Sequence, residues 1–327
     1  MPENEVVPNT VADEITFGVE IECNVPRDIM EQYDISVGGY RRGHRLMHSE
    51  LRPFNSWTAS NDQSVRSPDG YRSVEFVSPV LKGKEGIDNL HAFVSLLNEW
   101  GVTANTSCGV HVHVGLESII GRDKSSGEIA TYLNKLLKLV SKHEHGIYAL
   151  INSTFRLGYT RGHTNYCRSI KTREAEFAKT TGREELSFTE LRSLSERYRS
   201  VNLQRIFVNS GSSRTIEFRI FGPTVHPDKV VGYALVAMGF AQKASERLRN
   251  AEYVDTLQVS DEGYVTALNW MHSLLQWAYR YVTNGASNAH YRGMPTGVWE
   301  EYGAAVLSNQ RWNARRFEER GQRSIAR

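Results

Sequence analysis

Two glutamates stand one residue apart in the stretch FGVEIECN (17–24), where every second residue is apolar. Side chains alternate between the two faces of a β-strand, so a strand here places Glu20 and Glu22 on one face and the apolar side chains on the other. On a face that lines a pocket, two carboxylates at this spacing would bind a cation between them. On a face in water they would be ordinary solvated charges, so the neighbouring strands decide between the two interpretations.

The same alternation recurs in three further stretches: VEFV around Glu75, GVHVHVG with His111 and His113, and TIEFRIF with Glu217 and Arg219. One such stretch is typical of an edge strand with a wet face, but four that carry Glu, His or Arg favour a polar cavity. Carboxylates and imidazoles together suit a divalent cation, and a carboxylate-rich set favours Mg²⁺ or Mn²⁺. The arginine beside them indicates phosphate chemistry, because Arg and Mg²⁺ neutralise the charge of a phosphoryl group in transfer.

The elements that must position these residues are read from the periodicity of apolar residues. Strands are predicted over 14–24, 56–66, 72–79, 109–115, 198–208 and 213–221, and helices over 86–101, 127–150, 189–197, 227–250 and 262–282. Strands and helices do not alternate in a βαβ rhythm, so an α+β fold with a mostly antiparallel sheet is expected. No GxxxxGK[ST] loop and no GxGxxG turn after a strand is present, so a P-loop or Rossmann nucleotide site is not supported.

Composition bounds the class of protein. The chain has 327 residues, of which 40% are hydrophobic and 23% charged, and this is ordinary for a soluble globular protein. A net charge of +2 gives the whole molecule no basic character that would indicate a nucleic-acid binder. The three cysteines are widely spaced, which favours a reducing cytoplasm over a disulfide framework. No apolar run approaches the roughly 20 residues that span a bilayer, and the acidic N-terminus does not look like a signal peptide.

Five blocks in one order resemble the amidoligase family: FGVEIE, DQSV followed by VEFVSPVLKG, CGVHVHVG, RYRSVNL and TIEFRIF. The resemblance runs from about residue 15 to about residue 240. It implies a curved, mostly antiparallel sheet of the glutamine synthetase catalytic-domain type with packed helices, similar also to glutamate–cysteine ligase. It further implies an ATP-dependent carboxylate–amine ligase that uses Mg²⁺ or Mn²⁺ and forms an amide through an acyl phosphate.

The resemblance also assigns roles to residues of this chain. Five residues match the family's metal ligands: Glu20, Glu22, Glu75, His111 and Glu217. His113 matches a contact to the nucleotide phosphates, although the two histidines could be exchanged. Arg219 matches the arginine that stabilises the transferred phosphoryl group, Arg199 is a candidate second phosphate arginine, and Asn202 lies close by in sequence. Asp62, in NDQSV, matches an acidic position that is interpreted as substrate or amine recognition.

The predicted organisation is a flexible leader over 1–13, the catalytic domain over 14–250, and a helical extension over 251–327 packed on the same domain. The extension ends in a basic tail, because residues 311–327 hold six arginines and two glutamates. Many members of the family are encoded by phages, which would place this protein in the host cytoplasm. Expected partners are ATP, a carboxylate, and an amine on a small molecule, peptide or modified nucleotide. No membrane is expected, and relatives with this sheet often form homo-oligomers.

Three alternatives to the ligase stay open. A guanidino-kinase-like phosphotransferase would make ADP without forming an amide. A metalloenzyme with His111, His113 and a glutamate as a facial triad would bind iron and no nucleotide. A non-enzymatic or virion-associated relative would keep only the sheet.

Overall fold

The structure is a computed structural model of the 327-residue chain. It describes residues 15–39, 42–151, 163–164, 166–168, 170, 185–208 and 214–245, without the side chains of 84, 141–151, 163–164, 228 and 243. The predicted leader, the helix over 262–282 and the basic tail lie outside the described residues.

Strands form the centre of the described part of the chain. They are β1 (Thr16–Pro26), β2 (His44–Arg45), β3 (Thr58–Ser60), β4 (Tyr71–Val77), β5 (Leu81–Lys82), β6 (Val110–Gly115), β7 (His163–Thr164), β8 (Cys167–Arg168), β9 (Val201–Asn202) and β10 (Thr215–Phe221). The main sheet has the order β2-β3-β4-β1-β6-β10-β9, with β5 paired to the start of β1, and β7 and β8 form a separate hairpin. All ladders between these strands are antiparallel.

Helices cover one face of this sheet. They are α1 (Arg27–Gln32), α2 (Gly83–Glu99), α3 (Leu116–Ile120), α4 (Ser126–Ile151), α5 (Phe188–Leu194) and α6 (Pro227–Ser245), with 3₁₀ turns at Ser49–Phe54 and Gln204–Ile206. Helix α6 contacts β1 and β6, and α2 and α4 pack beside it. Phe93 of α2 stacks on Trp57 with ring centroids 3.8 Å apart, and it meets Phe76 of β4 edge-on. The apolar side of every central strand is therefore buried in the core, and the polar side is left for the site.

The predicted fold class is confirmed, as are the four strands with alternating patterns and the described parts of the helices predicted over 86–101, 127–150 and 227–250. Two predicted strands are shorter than expected, because a side chain ends each of them. The Asp62 carboxylate accepts a hydrogen bond from the Ser64 amide (2.7 Å) just after β3. The Asn202 side-chain oxygen accepts one from the Gln204 amide (2.9 Å) at the end of β9. Such turns compete with the ladder for backbone donors.

None of the helices in the described part of the chain is both long and apolar enough to cross a lipid bilayer.

Candidate active site

The strand register brings the charged side chains of four strands onto one face. His111 of β6 is directly opposite Glu20 of β1, and Glu75 of β4 is opposite Glu22. On the other side of β6, His113 is opposite Glu217 of β10, which is in turn opposite Asn202 of β9. Directly opposed residues in antiparallel strands share a face. The residues therefore form one polar patch on the side away from the helices.

His111 lies at the centre of this patch and is almost completely buried, with 1% of its surface exposed. Its Nδ1 is 3.2 Å from Glu20 Oε2, at hydrogen-bond distance, and its Nε2 is 3.6 Å from Glu22 Oε1. The second distance is too long for a hydrogen bond. It is close to the separation of two ligand atoms around one divalent cation, which is roughly 3 Å or a little more.

His113 carries a buried nitrogen that lacks a hydrogen bond. Its Nδ1 is 3.4 Å from the Thr215 hydroxyl. Its Nε2 is 3.1 Å from Glu20 Oε1 but makes no hydrogen bond there, although the residue is only 8% exposed. The nitrogen therefore has an ion-pair contact without hydrogen-bond geometry, and a ligand placed between the two atoms would satisfy both. The Nε2 atom and the adjacent carboxylate oxygen are suitable ligand atoms for a metal ion.

Glu217 is held by two donors. The Asn202 amide donates to one of its carboxylate oxygens (2.6 Å), and the Arg219 guanidinium donates to the other. Arg219 is buried and also donates from Nε to the Tyr166 carbonyl (3.4 Å). Tyr166 comes from the hairpin β7–β8, so this hairpin helps to fix the arginine.

The electrostatics of the patch show an excess of negative charge. Burial raises the pKa of Glu75 to about 8, and the charges of Glu20 and Glu22 add to the rise. Burial also opposes ionisation of Glu20, but the positive charge of His113 and the hydrogen bond from His111 hold the pKa of Glu20 well below its usual value. For Glu217, the charges of His113 and Arg219 outweigh burial and lower the pKa. Burial opposes a charge on His113, but the negative charge of Glu20 outweighs burial, so the pKa of His113 is raised.

These side chains form three overlapping groups in which the ligand atoms lie within 4.8 Å of one another, among the residues described. They are Glu20–His113–Glu217, Glu20–Glu75–His111 and Glu22–Asp62–Glu75. Carboxylate oxygens with few imidazoles are the donor set that suits Mg²⁺ or Mn²⁺. Because Glu20 and Glu75 are each shared between groups, the residues fit a chain of sites for more than one ion.

Two cavities open on this patch. The tyrosine cavity, of about 400 Å³, is lined by Glu22, Asp62, Ser64, Tyr166, Tyr198 and Arg219 among others. The Arg205 cavity, of about 450 Å³, is lined by Glu20, Thr58, Ser60, Gln204, Arg205 and Glu217 among others. Glu75 and Arg197 line both cavities, so the two meet at these residues.

Two arginines that the motifs did not single out lie at the site, and one that they did lies elsewhere. Arg197 and Arg205 line the cavities. Arg199 instead donates to Glu196 (3.0 Å) and lines a small, mostly apolar cavity of about 50 Å³ with Leu137 and other residues. Its place follows from alternation, because Asn202 faces the patch and a residue three positions earlier in an extended segment faces away. The other predicted site residues all lie on the patch or line its cavities.

Comparison with known proteins identifies the family. The profile Amidoligase_2, described as "Putative amidoligase enzyme", matches residues 13–241, in agreement with the predicted span. No curated protein matches the sequence significantly. The chain is similar to the crystal structure of a bifunctional glutathione synthetase from Pasteurella multocida, with a TM-score of 0.48 and 12% identity over 97% of this chain and 50% of that one. It is also similar to a structure of apo GmaS without ligand, with a TM-score of 0.37 and 14% identity over 92% and 71%.

The chain spans half the length of the glutathione synthetase that it matches. The family profile covers the strands β1, β4, β6 and β10 that carry the polar patch, and its description gives the class of enzyme that the motifs predicted. The chain therefore belongs to the amidoligase family.

Proposed function

We propose that the protein is an ATP-dependent ligase that joins a carboxylate to an amine through an acyl phosphate. The observation that carries the proposal is the continuous chain of metal-ligand groups between two cavities, with the buried Arg219 beside it. A site of this kind has room for a nucleotide on one side and an organic substrate on the other. Family membership supports the amide-forming chemistry.

The proposed reaction has two steps. A carboxylate oxygen of the substrate attacks the γ-phosphorus of ATP, the bond to the bridging oxygen breaks, and ADP leaves. The amine nitrogen then attacks the acyl carbon, phosphate leaves with the former carboxylate oxygen, and the nitrogen loses a proton. ATP supplies the leaving group, because a carboxylate alone would have to expel oxide. The products are the amide, ADP, phosphate and a proton.

The candidate metal ligands of the patch have the first role in this scheme. Glu20, His113 and Glu217 would hold one divalent ion, and Glu20, Glu75 and His111 a second. Bound there, the ions would reduce the repulsion between the triphosphate and the substrate carboxylate.

The remaining polar groups act on the substrates directly. The Arg219 guanidinium, fixed by Glu217 and the Tyr166 carbonyl, would stabilise charge on the transferred phosphoryl group. Asp62 lines the tyrosine cavity and could accept the proton of the amine. Arg199 has no role here, because it lines a different cavity. The candidate carboxylates and amines are those of small molecules, peptides and modified nucleotides.

The facial-triad alternative has less support in the geometry. Among the described residues, the groups that fit one metal ion never contain His111 and His113 together. Both histidines also lie among four glutamates and a buried arginine, which a site for iron and oxygen would leave without a role. The kinase-like and non-enzymatic alternatives become outcomes of the experiment.

The test is ADP formation from Mg²⁺ and ATP in the presence of a small-molecule cell extract. We compare the wild type with Glu217→Gln, which keeps the shape but removes the charge, and with Glu99→Gln, an exposed glutamate at the end of α2. We expect extract-dependent ADP from the wild type and Glu99→Gln, and a loss of about 100-fold or more in Glu217→Gln. Mass spectrometry should find a product equal to the sum of two substrates minus water. With a carboxylate labelled with oxygen-18, the label should appear in phosphate.

Each failure has a distinct meaning. ADP without a condensed product would indicate a phosphotransferase. Equal rates in wild type and Glu217→Gln would exclude the patch as the reaction centre. Absence of ATP binding by the folded protein would overturn the ligase proposal itself.

A further inference from the structure

The two cavities differ in what they offer a ligand. Resting on the proposed function, we infer that the Arg205 cavity binds the triphosphate of the nucleotide, with the Arg205 guanidinium on phosphate oxygens. The tyrosine cavity is then left for the carboxylate and the amine.

Arg205 is positioned by the site itself. It lies in the 3₁₀ turn Gln204–Ile206, and the Asn202 side chain holds the start of this turn through the Gln204 amide. The same Asn202 side chain donates to Glu217. Its two hydrogen bonds therefore tie the turn to a candidate metal ligand.

The guanidinium of Arg205 is available for an anion. The side chain is exposed and has no hydrogen bond or ion pair with any residue that the structure describes. By contrast, Arg219 of the tyrosine cavity already donates to Glu217 and to the Tyr166 carbonyl. A guanidinium is a preferred partner of phosphate because its planar donors match two oxygens.

The other lining groups of the Arg205 cavity also suit phosphates. Thr58 offers a hydroxyl, and Gln204 offers the second N–H of its side-chain amide, the first being donated to the Ser195 carbonyl (3.3 Å). The Ser60 hydroxyl instead donates to Glu75 Oε2 (2.9 Å) and orients that carboxylate. The three carboxylates in the lining, Glu20, Glu75 and Glu217, all belong to candidate metal groups. Of these groups, Glu20–His113–Glu217 contains the Nε2 atom that lacks a hydrogen bond. Phosphates bridged by an ion at this position would lie between the ion and Arg205.

The tyrosine cavity has a different character. Tyr166 and Tyr198 meet edge-on with ring centroids 5.7 Å apart, and both are partly exposed. Asp62 adds an acid that is already half engaged by the Ser64 amide. Aromatic faces with a carboxylate suit an organic ammonium group rather than a polyphosphate. Since Glu75 and Arg197 line both cavities, the phosphoryl group would be transferred beside them.

The experiment measures the dissociation constant of a non-hydrolysable ATP analogue, AMP-PNP, with Mg²⁺ by isothermal titration calorimetry. Arg205→Ala should weaken binding about tenfold or more, because it removes a charge-assisted contact. Arg205→Lys should recover part of the loss. Arg192→Ala, which removes an exposed arginine of α5, should change the constant by less than about twofold.

A matched pair of bulky substitutions tests which cavity is occupied. Gln204 and Gln63 are both exposed and line different cavities. Gln204→Trp should weaken binding of the analogue, and Gln63→Trp should not. If Gln63→Trp weakens it while Arg205→Ala and Gln204→Trp do not, the assignment is reversed and the inference fails, although the proposed function stands. If the wild type does not bind the analogue at all, the proposed function fails.

Discussion

At the scale of single residues, the most informative side chain is one that carries no charge. Asn202 donates to Glu217 and accepts from the Gln204 amide, so it orients a candidate metal ligand and the turn after it at once. It is 4% exposed, so its hydrogen bonds are largely shielded from water. Partners of this kind fix the direction of the ligand's lone pairs.

We therefore predict that Asn202→Ala weakens metal binding by about 10- to 100-fold, which is typical of residues that hold a metal ligand. The measurement is a titration with Mn²⁺ in which electron paramagnetic resonance gives the concentration of the free ion at each step. Asn98→Ala, at an exposed asparagine near the end of α2, is the control and should match the wild type. Wild-type affinity in a folded Asn202→Ala protein would show that Glu217 needs no such support.

Part of the site could be predicted at this scale, and part could not. Strict alternation in a strand assigns a face to each residue, so the sequence predicts which side chains share the polar face: Glu20, Glu22, His111, His113 and Glu217. Arg199 could have been placed by the same rule, since it is an odd number of residues from Asn202. The positions of Arg197 and Arg205 could not be predicted in this way, because both residues lie in turns, where the direction of a side chain depends on tertiary contacts.

At the scale of elements, the pairing of β1 with β6 is what brings Glu20 to His111. The two strands approach closely at their ends, near Gly115. A Cβ atom on Gly115 would lie 2.1 Å from the Thr16 hydroxyl oxygen, 3.3 Å from the Thr16 carbonyl oxygen and 3.3 Å from the Ser118 hydroxyl. The first distance is an overlap that must be relieved by movement of the strand or of the threonine.

Gly115→Ala should therefore lower the free energy of unfolding by about 1–3 kcal/mol, the usual cost of overpacking. Urea denaturation would measure it, with Gly127→Ala as the control. A Cβ on Gly127 meets no atom nearer than 4.0 Å, so this change in α4 should be neutral or slightly stabilising.

A second variant separates the clash from other effects of the alanine. Thr16→Ala removes the hydroxyl that overlaps, so Thr16→Ala/Gly115→Ala should recover at least half of the loss. A double variant that is less stable than Gly115→Ala alone would contradict the explanation, because the two substitutions would then not share one steric cause.

The existence of the central strands was predictable, but their register was not. The alternation around Glu75 gives the strand and the face, yet nothing local says that Glu75 lies opposite Glu22. A register shift by one residue would turn the side chain away from the site. The lengths of β3 and β9 were also missed, because Asp62 and Asn202 form turns that periodicity does not detect.

At the scale of the whole molecule, a nearly neutral chain contains a strongly acidic site. The net charge is +2, but one face of the sheet collects Glu20, Glu22, Glu75 and Glu217. The helices cover the opposite face, so these carboxylates cannot separate without disrupting the sheet. The positive charges of the histidines and Arg219 offset part of the mutual repulsion of these carboxylates. The part of the repulsion that remains opposes folding.

A divalent ion that binds the folded site should therefore stabilise the entire domain. At an ion concentration 100 times the dissociation constant, a site that is absent from the unfolded chain contributes about 2.7 kcal/mol. We expect Mn²⁺ to raise the thermal midpoint of the wild type and EDTA to reverse the increase. Glu217→Gln should show a smaller increase in the thermal midpoint. Sodium chloride at the same ionic strength should not reproduce the increase that Mn²⁺ causes in the wild type. If Mn²⁺ at saturating concentrations leaves the wild-type midpoint unchanged, the carboxylates do not form a metal site, and the charge must be balanced by protonation of Glu75 and by the basic side chains alone.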